Sequence, residues 1–161
     1  MKSGTLAEIK KELQELEPKQ LADLCIALAK YKRDNKEYLD YLMFESHDKN
    51  GFVTQVKRLV DENFIELKPD INLYYAKKSL RKILRIINKY IKYIGDKAIA
   101  AELHIYFCKK LKESKIPIEK SARLVNLKAG ELKKIKALID ALHEDLQYDY
   151  RKELDWLTLH K

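Results

Sequence analysis

Apolar residues return at intervals of three and four along almost the whole chain, the spacing that keeps them on one face of an α-helix. Thr5-Leu6-Ala7-Glu8 has the form of a capping box, and Leu6, Ile9, Leu13 and Leu16 follow as the stripe of a first helix. Pro18 suits the first turn of a second helix carrying Leu21, Leu24, Cys25 and Leu28. Asp34 or Asn35 opens a third, with Tyr38, Leu39, Tyr41, Leu42 and Met43. A polar loop at 47–51 precedes a fourth helix near 52–66, which Lys68-Pro69-Asp70 ends. The fifth and longest is predicted from about Ile71 to Ile94, with Gly95 as its stop. Asp96 caps a sixth, which runs to about Ser114. Ile116-Pro117-Ile118 is a break. A short seventh helix is expected over 118–127, and a long eighth from near Gly130 to Tyr150 or Leu157.

The expected fold is all-α. Seven or eight helices pack as successive antiparallel hairpins, paired 1–2, 3–4, 5–6 and 7–8, in an irregular bundle or a short solenoid-like stack. No period of 33–47 residues marks a repeat array. At 161 residues the chain is read as one domain, 1–161, large enough to fold without disulfides or metal. Its four glycines and three prolines leave few breakers, which agrees with helix throughout.

Charge changes the picture in one region. The net charge is +8, but residues 71–95 hold seven basic side chains and no acidic one, while residues 140–161 hold three and six. In the fifth helix Leu80, Leu84, Ile87, Ile91 and Ile94 form an apolar face. Lys78, Lys82, Arg85, Lys89 and Lys92 form a second stripe with the same steps, roughly 200° away, broadened by Lys77 and Arg81. Like charges at this spacing repel, so the stripe invites an explanation. One is a solvated face neutralised by Asp140, Glu144, Asp145 and Asp149 of the last helix. A second is an anionic partner, nucleic acid or an acidic protein, with Tyr74, Tyr75, Tyr90 and Tyr93 available to stack on bases. A third is a membrane surface, which neighbouring helices argue against by offering to bury the apolar face.

Candidate chemistry is sparse. Asp48-Lys49-Asn50-Gly51 resembles a fragment of a calcium loop, but the twelfth position would be Lys57 where a bidentate Glu is required. The segment is therefore read as a turn with Gly51 in the left-handed conformation. His47, His104, His143 and His160 are scattered, and His143-Glu144 lacks the second histidine of a zinc-protease helix. Cys25 and Cys108 sit inside apolar patterns as small core residues. No phosphate loop, nucleophile elbow or metal-ligand spacing is present. No catalytic, cofactor-binding or metal site is assigned, and nothing supports an enzyme.

Glu8-Ile9-Lys10-Lys11-Glu12-Leu13 with Leu16, Gln20-Leu21, and Asn35-Lys36-Glu37-Tyr38-Leu39-Asp40-Tyr41 resemble the opening of a family of bacterial all-helical proteins known as a domain of unknown function. The Lys-rich segment from Ala76-Lys77-Lys78, then Ala101-Glu102-Leu103 with Tyr106-Phe107, and His143-Glu144-Asp145-Leu146 extend the likeness. The resemblance implies a helical fold and a bacterial origin, and it supplies no activity or site residues.

Two functions remain in view: a non-enzymatic protein-interaction or scaffolding module with a protein partner, or nucleic-acid or other polyanion binding through the fifth helix. No cofactor is expected. The N-terminus has no signal-peptide core and no apolar run reaches a membrane span, so a cytoplasmic location is expected.

Overall fold

The computed structural model describes residues 3–159, with eight α-helices and no strand among them. Met1 and Lys2 at the chain start, and His160, lie outside the described residues. The chain divides into two compact units, Met1–His47 and Asp48–Lys161, although no cluster of glycine, proline or serine announces a boundary at His47.

The first unit holds α1 (Leu6–Gln14), α2 (Pro18–Tyr31), α3 (Arg33–Asp40) and a π-helical turn, Tyr41–Glu45. The predicted capping box forms: Thr5 N–H donates to Glu8 Oε2 at 2.7 Å, and Glu8 N–H donates back to Thr5 Oγ1 at 3.3 Å. The Thr5 N–H, and the Thr5 hydroxyl donating to the same Oε2 at 3.0 Å, hold the exposed Glu8 carboxyl below its usual range. Pro18 occupies the first turn of α2. The helices α2 and α3 pack together, and Asn35 Nδ2 ties them by donating to Leu28 O at 2.9 Å. Where the third helix was expected to run straight through Met43, the backbone widens by one residue, with Ser46 N–H bonding to Tyr41 O. Tyr41 is the sole buried residue among those described in this unit.

The second unit holds α4 (Lys49–Ile65), α5 (Leu73–Ile94), α6 (Lys97–Glu113), a 3-10 turn (Ile118–Lys120), α7 (Ala122–Asp140) and α8 (Glu144–Thr158). Neighbours in sequence pack together, and α6 also meets α4 and α8. So α6 is the hub, touching α4, α5, α7 and α8. Its composition explains the position. It buries Ala101, His104, Ile105, Cys108 and Leu111, and also Ala100, Leu103 and Phe107, more than one helical face. A helix apolar on several sides belongs in the middle of its layer. Phe107 meets Phe64 of α4 with ring centroids 5.7 Å apart. Leu80, Ile83 and Ile87 of α5 and Leu124, Ile135 and Ile139 of α7 complete the core.

Two local expectations are corrected. Gly51 is not left-handed: it lies in the first turn of α4, where its N–H donates to the capping Asp48 at 2.9 Å. The Asp-Lys-Asn-Gly tetrad is a helix start, and an added Cβ at Gly51 would displace the Asp48 cap. Gly130 is not a break. It sits exposed within α7, with nothing near the place of a Cβ. One glycine costs a helix only about 1 kcal/mol, and the buried positions Leu124, Glu131, Ile135 and Ile139 carry α7 through it. The real break is Ala141-Leu142-His143, where the His143 side chain caps α8.

Candidate functional site

Helix α5 is bounded as its sequence demands. Asn72 Oδ1 accepts from Tyr74 N–H at 2.9 Å, and Gly95 closes the helix at φ 66°. Asp96, whose carboxylate accepts from Ala98 and Ile99 N–H, then starts α6. Ala76, Leu80, Ile83, Leu84, Ile87 and Ile94 are buried; Ile91, expected with them, is half-buried. The predicted apolar face therefore turns to the core. At about 100° per residue the basic stripe falls on the opposite side. Lys78, Arg81, Lys82, Arg85 and Lys92 are exposed, and Lys77 and Lys89 are half-buried. From Lys78 to Lys92 the stripe runs roughly 21 Å along the helix axis.

Of the acids proposed as its counter-charges, Asp140 and Asp145 are engaged elsewhere, as is Glu153. Asp140 meets Arg151 at 3.3 Å, Asp145 meets His143 at 3.3 Å, and Glu153 meets Lys109 of α6 at 2.6 Å. Asp149 lines a cleft with Tyr106 of α6 and Tyr150 of α8. Among the described residues, Lys77, Lys78, Arg81, Lys82, Arg85 and Lys92 make no ion pair. Asp140, Asp145 and Glu153 thus pair with residues outside α5, in keeping with the packing of α8 against α6 and α7.

The four tyrosines separate into two pairs. Tyr74 and Tyr75 are 53% and 60% exposed, with ring centroids 5.5 Å apart and edge to face. Tyr74 lies one turn before Lys78 on the basic side. The ammonium groups of Lys78 and Lys77 stand 4.6 and 5.5 Å from its ring centre. Tyr90 and Tyr93 are half-buried, and Tyr90 packs edge-on against Phe52 and Tyr93. Lys89 rests 5.1 Å from the Tyr90 ring centre.

The other candidates resolve into structure. His104 is buried where α6 meets α7, its Nδ1 2.7 Å from Glu131 Oε2, while Lys134 reaches Glu131 Oε1 at 2.9 Å. Burial works to raise the Glu131 carboxyl, but His104 and Lys134 outweigh it, so its pKa is lowered. In the sequence His104 is a solitary histidine. Its partner lies 27 positions away on another helix, and the available signal was Glu131 itself, an acid at a core position of α7 in step with Leu124 and Ile135. Cys108 is buried, and burial pushes its thiol up to about 12. Cys25, expected in a core, is exposed. His47 and His143 are exposed.

A cleft of about 350 Å³ lies between α4, α6 and α8. Four of the charges lining it are paired, Lys57 with Glu102 and Lys109 with Glu153, both at 2.6 Å, and Asp149 is the fifth. Beside it, Tyr106 donates to Asp61 at 2.7 Å. Burial raises the Tyr106 and Tyr150 hydroxyls, with nearby carboxylates adding to it. Neither this cleft nor a second of about 640 Å³ beside Ile116 and Ile118 is lined by His104 or Glu131. Among the described residues no group of His, Cys, Asp and Glu could hold a metal ion, and no helix is long and apolar enough to cross a membrane. Comparison with protein-family models, with curated proteins and with solved structures finds no match.

Proposed function

We propose that this protein is a non-enzymatic binding module whose helix α5 takes a polyanion, nucleic acid, along its basic face. One observation carries the reading: an acid-free helix turns Lys78, Arg81, Lys82, Arg85 and Lys92 to solvent without an ion pair among the described residues. A phosphate backbone supplies what these side chains lack, a row of negative charges with freely rotating sugar–phosphate links between them. The membrane reading is weaker, because the apolar face of α5 is already buried in protein. The paired cleft and the buried His104–Glu131 contact speak for structural roles, and hence for binding rather than chemistry. The exposed free thiol of Cys25 suits a reducing cytoplasm. The pattern shared with the bacterial helical family supports placing the chain there.

Fluorescence anisotropy of a labelled oligonucleotide, titrated across a salt series, tests the reading. Engaging three to five phosphates gives a slope of log K against log salt of about −2 to −4. Lys82→Glu combined with Arg85→Glu, both exposed and remote from the core, is expected to weaken binding at least tenfold without loss of helix by circular dichroism. Unchanged affinity in that variant overturns the proposal.

A further inference from the structure

We infer that the strand held by α5 is single-stranded, with unpaired bases stacking on Tyr74 and Tyr75. The inference rests on the polyanion reading above and specifies its ligand. Two observations carry it: the tyrosines sit at one end of the basic stripe, and their rings are left to solvent.

A tyrosine on an amphipathic helix ordinarily lays its ring on the core and wets its hydroxyl. Tyr90 and Tyr93 behave that way at the far end of α5, half-buried and edge-on to one another. Tyr74 and Tyr75 do not. They are 53% and 60% exposed, their rings meet each other, and Lys77 and Lys78 reach over Tyr74. Measured around the helix from Lys78, Tyr74 lies about 40° to one side and Tyr75 about 60° to the other. A strand following Lys92, Arg85, Lys82 and Lys78 therefore runs onto these two rings. Lys77 and Lys78 flank Tyr74 closely enough to hold the phosphate of the same nucleotide whose base lies on the ring. From Tyr74 to Lys92 the face measures roughly 27 Å, the length of several nucleotides.

Duplex nucleic acid cannot use these rings, because its base faces are covered by neighbouring pairs. Electrostatics alone would favour duplex, which carries the higher charge density. A preference for single strands is thus the signature of the tyrosines and cannot be produced by the lysines.

The test compares three probes by anisotropy or competition on the intact chain: a twelve-nucleotide single strand, the same sequence as a duplex, and inorganic polyphosphate. The single strand is expected to bind about tenfold tighter than the other two. Tyr74→Leu with Tyr75→Leu is expected to abolish that preference, weakening single-strand binding about tenfold or more. Polyphosphate binding and the salt slope are expected to stay unchanged. Tyr74→Phe with Tyr75→Phe keeps both rings and is expected to keep the preference. Duplex or polyphosphate binding as tightly as the single strand, or an undiminished preference in the leucine variant, overturns this inference and leaves the polyanion reading standing. Insensitivity of all three probes to Lys82→Glu with Arg85→Glu, or no binding of any probe, overturns both.

Discussion

The two units are built from helices with the same kind of apolar stripe and arrive at opposite interiors. In α2, Leu24 and Leu28 remain 43% and 60% exposed; in α5, Leu80 and Ile87 are fully buried. The spacing of three and four is alike in both. The difference is a hub. The second unit has α6, apolar on several sides, against which four other helices bury their stripes. The first unit pairs α2 with α3 and has no comparable element, and its buried residue is Tyr41 in the π-helical turn. Amphipathic periodicity forms a helix and orients it; burial requires an apolar surface to meet.

The largest expected effect tests this contrast directly. Phe107→Ala in α6 is expected to destabilise the fold by about 3–5 kcal/mol, and Leu24→Ala in α2 by less than about 1 kcal/mol. Urea unfolding followed by circular dichroism measures both, and equal losses would erase the distinction between the units.

The two cysteines sharpen it chemically. Cys25 in the first unit is exposed, whereas burial holds Cys108 up at about 12. A thiol reagent at pH 8 is expected to modify Cys25 rapidly and Cys108 at least a hundredfold more slowly, until denaturant is added. Two thiols reacting at one rate in the native protein would contradict the packing around α6.

A smaller effect comes from the polar contact inside the second unit. Glu131→Leu leaves His104 Nδ1 without its carboxylate, and a loss of about 1–3 kcal/mol is expected. The pH dependence follows from the lowered Glu131 pKa. The unfolded carboxyl takes up its proton first as pH falls. Stability from this contact is therefore fully present above the unfolded value, near 4.5, and is lost as pH falls through the lower folded value. Unfolding midpoints measured between pH 7 and pH 3 should show a shallower acid decline in Glu131→Leu than in the parent. An identical decline would remove Glu131 from the acid response.

The smallest effect concerns a surface position of the second unit. Gly130→Ala adds a methyl into open space on a helical backbone and is expected to raise stability by about 0.5–1 kcal/mol. A loss measured by thermal unfolding would mean that α7 bends at Gly130 after all.

Much of the fold was legible because it is local. The Thr5–Glu8 box, Pro18, the Asp96 cap and the left-handed Gly95 each rest on neighbours a few residues apart, and periodicity does the rest. The break between α7 and α8 was not legible, because Ala141-Leu142-His143 contains no breaker and Gly130 offered a false one. Of the candidate site, the two faces of α5 were readable from spacing. The pairing state of its lysines was not, since that depends on where α8 packs.

The sequence by itself determined the first six stretches of helix, several of their caps, and a helix with apolar and basic sides, because these follow from interactions within a turn or two. Only the tertiary structure decided that α6 is the hub, that His104 finds Glu131, that Asp140, Asp145 and Glu153 pair away from α5, and that Tyr74 and Tyr75 stand in solvent. Each of these is a meeting, or a missed meeting, between residues far apart in the chain. Such meetings are settled by which apolar surfaces compete for the same neighbour, and no local spacing records that outcome.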